Sequence, residues 1–239
     1  MKAAIMQPYF FPYVGYFSLI GCTDVFIVFD EGQYARRSWM NRNRICHPAR
    51  CDFSYITLDV KKATHNEKIK NIEAFDIDST FRRILTQLEV AYRKKAPYYD
   101  ETMILIERIF NTRESNLSRL NVEGIHKICQ HIGLEFNYMF YSDLDLTVGN
   151  VSAPDEWAVV ICKAMGYDQY VNPIGGLDFY DTNKYIDAGV EIKFVKNNLV
   201  VYEQKKKNFI PWLSIIDVLM FNGRLETLRI INEYELVGP

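Results

Sequence analysis

Two stretches of this 239-residue chain carry side chains whose types and spacing suit chemistry. The first is Gln7-Pro8-Tyr9-Phe10-Phe11-Pro12-Tyr13-Val14-Gly15-Tyr16-Phe17, which follows a short apolar run at 2–6 and leads into helical spacing over 13–20. A loop leaving a strand and entering a helix lies where open α/β sheets bind ligands, and the helix amides behind it attract anions. Gln7, Tyr9 and Tyr13 are its candidate binding residues; the alternative is a loop that only packs the helix onto the sheet. The second stretch runs from Asp30 through Gln33, Arg36, Arg37 and Trp39 to Arg44. Residues 31–50 hold five Arg and one acid, a local +4 on a chain of formal net charge −2, so the other residues sum to −6. Such an island is a local anion site, and guanidiniums make forked contacts to phosphate or carboxylate. If 41–44 is extended, Asn41 and Asn43 share one face and Arg42 and Arg44 the other. That arrangement would turn amides toward a sugar or amide and guanidiniums toward a diphosphate. The alternative is a solvated edge strand whose arginines pair with nearby acids.

Later signals are sparser. Asn172-Pro173-Ile174-Gly175-Gly176 reads as another strand-end turn that exposes backbone N–H groups, with Tyr180-Asp181 after it. Asp217 lies among apolar neighbours in Ser214–Met220; burial would raise its pKa, making it a base or the counter-charge of an arginine from 36–44. Asp30, at the end of the second expected strand, precedes Asp217 as the candidate general base. Lys205-Lys206-Lys207 reads as a solvated charge run. His126 with Cys129, and Cys46, His47 and Cys51, lack a second ligand pair, so no metal is expected. No Walker-type loop, Gly-x-Ser-x-Gly or Gly-x-Gly-x-x-Gly occurs.

The elements that must position these residues follow from periodicity. Strands are expected at 2–6, 24–29, 53–58, 135–140, 168–171 and 190–195. Helices are expected at 13–20, 79–95, 98–110, 116–132, 154–165 with Pro154 in the first turn, 181–187, and as a pair over 211–234. Ser79 and Asn116 read as N-caps; Gly133, Gly166 and Gly189 end helices. The alternation predicts one α/β domain over 1–239, a mostly parallel central sheet flanked by helices, with 79–133 as a helical cap or insertion.

Composition narrows the class. With 49% hydrophobic and 24% charged residues the chain is an ordinary globular protein, neither disordered nor fibrous. Aromatics make 14%, more than a core needs. The slight negative charge excludes a global field drawing the chain to DNA or anionic lipid. Five cysteines without a C-x-x-C pair indicate reduced thiols in a cytoplasm. The apolar stretch Ile210–Phe221 is too short to span a bilayer, so no membrane span is expected.

Several segments in this order resemble the WbqC-like protein family: Met6–Phe17, Asp30 with Gln33-Tyr34, Trp39–Ile45, Lys95–Tyr99, Leu120-Asn121, Gly175-Gly176 with Tyr180-Asp181, Tyr202–Gln204 and Phe209–Leu219. The resemblance implies a place among bacterial surface-polysaccharide (O-antigen) proteins and transfer of glycine or another small acyl group to an amino sugar. Where many relatives have a second acid, this chain has Glu31-Gly32 after Asp30. The expected partner is a nucleotide-sugar or similar phosphorylated small molecule. The acyl donor stays open among acyl-CoA, aminoacyl-tRNA and an amino acid with ATP, and homo-oligomer formation stays open too. Two alternatives stand beside the transferase: a non-catalytic nucleotide-sugar binding or scaffold protein, and an ATP-dependent amino-acid activating enzyme. The last rests on Pro12-Tyr13-Val14-Gly15-Tyr16, which is similar to the Pro-x-His-x-Gly-His segment of nucleotidylyltransferases but lacks both histidines.

Overall fold

The apolar pentad Lys2–Met6 (β1) and the run Val25–Val28 (β2) pair in parallel, Ala3 opposite Val25 and Met6 opposite Val28, with helix α1 (Val14–Gly21) between them. The computed structural model describes residues 1–64, 66–149 and 151–239. After β2 the chain makes an antiparallel hairpin, β3 (Arg42–Cys46) and β4 (Phe53–Thr57), that stands apart from the main sheet. Helices α2 (Ile77–Tyr92), α3 (Tyr99–Phe110) and α4 (Leu117–Ile132) lead to β5 (Tyr138–Phe140). Then come α5 (Glu156–Met165), β6 (Gln169–Pro173), α6 (Thr182–Ala188), β7 (Glu191–Asn197), α7 (Ile215–Ile231) and β8 (Tyr234–Val237). The six-stranded sheet has the order β5-β2-β1-β6-β7-β8, parallel except for β8, as the α/β reading expects.

Alternation along β1 divides the core. Ala4 joins an apolar layer that takes in α1, α2–α4 and α7, while Ala3 and Ile5 face a second layer with α5 and α6. The strand order turns back on itself at β1, so the sheet has a switch point between β1 and β6.

Four local expectations change. Asp76, not Ser79, caps α2: its carboxylate accepts from Ser79 N at 3.1 Å, and the helix begins at Ile77. Pro154 precedes α5 instead of entering its first turn. The 211–234 pair is α7, broken at Gly223, where φ is 64° and ψ −174°. Residues 234–237 form an edge strand because β7 offers them an antiparallel partner, which no local period announces. Asn116 caps α4 through Arg119 N, and Gly133, Gly166 and Gly189 stand at the helix C-caps as expected. Among the described residues no helix is long and apolar enough to cross a membrane.

Candidate functional site

The carboxyl ends of β1, β2 and β5 open on one edge of the sheet. Asp30, two residues beyond β2, is 2% exposed. Its carboxylate accepts from Ser142 N at 3.0 Å and Ser142 Oγ at 2.6 Å, in the turn that follows β5. Burial raises its pKa and the neighbouring Glu31 adds to this, while the Ser142 bonds oppose both. Glu31 itself is held low: burial works against its charge, but the ammoniums of Lys68 and Lys70 both bond it. Gln7 reaches the same rim from β1. Its Nε2 is 3.2 Å from where a β-carbon on residue 32 would stand, so the Glu31-Gly32 pair makes room for that amide. Phe29, Tyr141 and Trp157 form an aromatic wall, with Phe29 centred 5.4 Å from Tyr141 and 5.3 Å from Trp157.

A short ribbon carries the rim outward. Lys70 N donates to Asp30 O (2.9 Å), Ile69 N to Gly32 O (2.9 Å) and Tyr34 N to Glu67 O (2.8 Å). It ends at a cleft of about 610 Å³ lined by Gln33, Tyr34, Ala35, Arg36, Ala63 and Thr64. Arg36 Nη2 donates to Ala63 O at 3.0 Å, and the buried Tyr34 hydroxyl has no partner among the described residues. Burial pushes that phenol up, against the pull of Arg36.

The other expected residues divide by environment. Asn41 and Asn43 are buried: Asn41 donates to Leu58 O (3.1 Å), and Asn43 to Phe10 O (3.0 Å) and Phe11 O (2.9 Å), tying the first loop to the hairpin. Arg42 and Arg44 take the outer face, Arg42 over Tyr55 (4.2 Å) and Arg44 over Phe53 (4.5 Å) and Trp39 (4.9 Å). Arg37 is exposed with φ 56°. Tyr9 packs on Tyr16, whereas Tyr13 lies with Trp212 at the β7 end. Gly175 and Gly176 occupy the turn after β6, on the far bank of the switch point, and the Tyr180 hydroxyl meets Tyr170 OH at 2.9 Å.

Asp217 is 0% exposed in the first turn of α7. Instead of an arginine from 36–44 it meets Tyr92 OH and Tyr202 OH, each at 2.7 Å, and Gln204 Nε2 at 2.9 Å. Burial lifts its pKa to about 6 against these three donors. Among the described residues no three His, Cys, Asp or Glu side chains gather as metal ligands.

Sequence reasoning missed Ser142, the Tyr34 hydroxyl and the lysine pair. Ser142 lies 112 residues from Asp30, and the only signal available was its place just after an expected strand.

Residues 7–228 match the WbqC-like protein family. The chain belongs to that family. One relative is the uncharacterized protein Rv1507c of Mycobacterium tuberculosis, 28% identical over 224 residues, which make 92% of this chain and 93% of that protein. No solved structure matches the chain. Gln7, Asp30, the hairpin, Ser142 and Asp217 all fall within the part matched to the WbqC-like family.

Proposed function

We propose that this WbqC-like protein transfers an acyl or aminoacyl group, of glycine type, to the amino group of a nucleotide-linked deoxyamino sugar in bacterial surface-polysaccharide (O-antigen) biosynthesis. The supporting observation is the pairing of a buried carboxylate, Asp30, with a cleft that carries Arg36 at the other end of one short ribbon. The three residues from Asp30 to Gln33 span at most about 10 Å, a reach suited to one sugar ring and its diphosphate. The diphosphate lies at Arg36, beside Gln33 and the unpartnered Tyr34 hydroxyl, with Arg37 nearby in the chain. The amino group faces Asp30.

A neutral amine attacks the acyl carbon and must shed a proton as the C–N bond forms. Asp30 takes that proton, and the carrier leaves with the acyl bond's electron pair. Ser142 fixes the carboxylate's orientation, and burial favours its protonated form, which raises its basicity. Gln7 offers an amide to the acyl carbonyl. Gly175, Gly176, Tyr180 and Tyr9 border the rim from the switch point and the first loop.

The test is titration with a dTDP-linked amino-deoxyhexose, together with product formation. Asp30→Asn should bind within about twofold of wild type yet lose at least ~100-fold in turnover, the usual contribution of a general base. Arg36→Ala should weaken binding about tenfold, the loss of one charge-assisted contact. Unchanged turnover in Asp30→Asn removes the base. Binding without any product from the purified wild type would leave a carrier or scaffold of the same precursor.

A further inference from the structure

The hairpin has two unlike faces. Inward, Asn41, Asn43, Ile45, Ile56 and Leu58 are buried. Outward, Arg42, Arg44, Phe53 and Tyr55 are half-exposed, with the Arg42 guanidinium over the Tyr55 ring and that of Arg44 over Phe53 and Trp39. Arg44 Nε is buried without a partner among the described residues, and Trp39 beside it is 38% exposed. The hairpin's borders are secured elsewhere: Gln87 and Arg83 of α2 donate to the carbonyls of Tyr55 and Thr57, and Ser214 N to that of Arg44. The stacked face is therefore not needed to close the sheet edge.

Charge gathers around it. Lys206 donates to the carbonyls of His47, Pro48 and Arg50 in the turn after β3, and Lys95 to that of Pro48, so distant cations are drawn to the hairpin's end. Among the described residues none of Arg36, Arg37, Arg42, Arg44, Arg50 or Lys206 forms an ion pair. A cationic strip interleaved with aromatic rings is the physical design of single-stranded nucleic acid binding. Residues i and i+2 of a strand stand about 7 Å apart, the separation of successive phosphates in an extended single strand.

We propose that the outer β3–β4 face docks a single-stranded RNA segment, phosphates on Arg42 and Arg44 and a base on Trp39. The docking stands on this geometry; that the RNA carries the acyl donor rests on the transferase reading above.

The experiment is fluorescence anisotropy of a 5′-labelled single-stranded RNA 12-mer at several salt concentrations. Arg42→Gln/Arg44→Gln should weaken binding at least ~10-fold and reduce the log–log salt slope by about 1.4, since each phosphate contact on a single strand contributes about 0.7. Trp39→Ala, which keeps both arginines, should weaken binding at least about fivefold, the loss of one stacked base. Asp30→Asn should bind RNA as wild type does, so failure of the base assignment leaves this result untouched. Equal binding and slope in the arginine and tryptophan variants would overturn the proposal. So would displacement of the RNA by ADP at equal phosphate concentration, which would assign the face to a small nucleotide.

Discussion

Asp217 accepts three hydrogen bonds and still ionises reluctantly, because removal from water outweighs the donors around it. The sign of its effect on stability follows. Unfolded, it ionises near 3.8; folded, near about 6, so between these values the native state holds more protons. Its contribution is intact below about pH 4 and is lost as pH rises through 6, a change on the order of 3 kcal/mol. Urea titrations at pH 4.5 and pH 7 should therefore show wild type losing stability relative to Asp217→Asn over that interval; a pH-independent difference would refute it. Burial raises Asp30 in the same direction, with a different set of donors opposing it. Ser142 bonds both oxygens of its carboxylate, through the backbone N–H and the hydroxyl, and so orients it at the sheet rim. Both aspartates were legible as candidate bases, Asp30 as a polar residue at a strand end and Asp217 as an acid inside an apolar run. Which groups each would meet was not, because those partners are 112 and up to 125 residues away.

Among elements, α7 carries the clearest requirement for a glycine. Gly223 has φ 64° and ψ −174°, a region that side chains avoid, and a β-carbon there would stand 2.6 Å from Tyr98 Cε1. Gly223→Ala should cost at least about 2 kcal/mol, whereas Gly175→Ala, with nothing within 4 Å, should stay within about 0.5 kcal/mol. Equal denaturation midpoints for the two would refute the assignment. This break explains why the sequence reads as two helices over 211–234: the pattern signals an interruption, but not the edge strand that follows. Helices α2–α4, by contrast, have a broad apolar face at a 3.6-residue period and were placed within a few residues.

At the scale of the molecule, the first loop, the hairpin and α4 are joined by asparagine amides. Asn43 holds the carbonyls of Phe10 and Phe11; Asn121 holds those of Pro8 (3.0 Å) and Met40 (2.7 Å). Asn43→Ala and Asn121→Ala should each cost about 1–3 kcal/mol by leaving buried carbonyls unpaired. The double variant should cost less than the sum, because both secure one loop. Full additivity in urea denaturation would separate the two roles. The same long-range assembly rearranges charge. Composition places a basic island on an acidic chain, but the drawing of Lys95 and Lys206 to that island depends on α2 and the segment before α7 packing on the hairpin.

Most strand and helix positions, the first loop at a strand end, the arginine island and the segments of the WbqC-like resemblance were readable from residue order, since each depends on neighbours within a few positions. The sheet order around β1, the Asp30–Ser142 contact, the inward turn of Asn41 and Asn43 and the tyrosine cage of Asp217 depend on which distant surfaces meet. That choice is made by packing of the whole core, whose contacts have no fixed sequence separation and therefore leave no period to read.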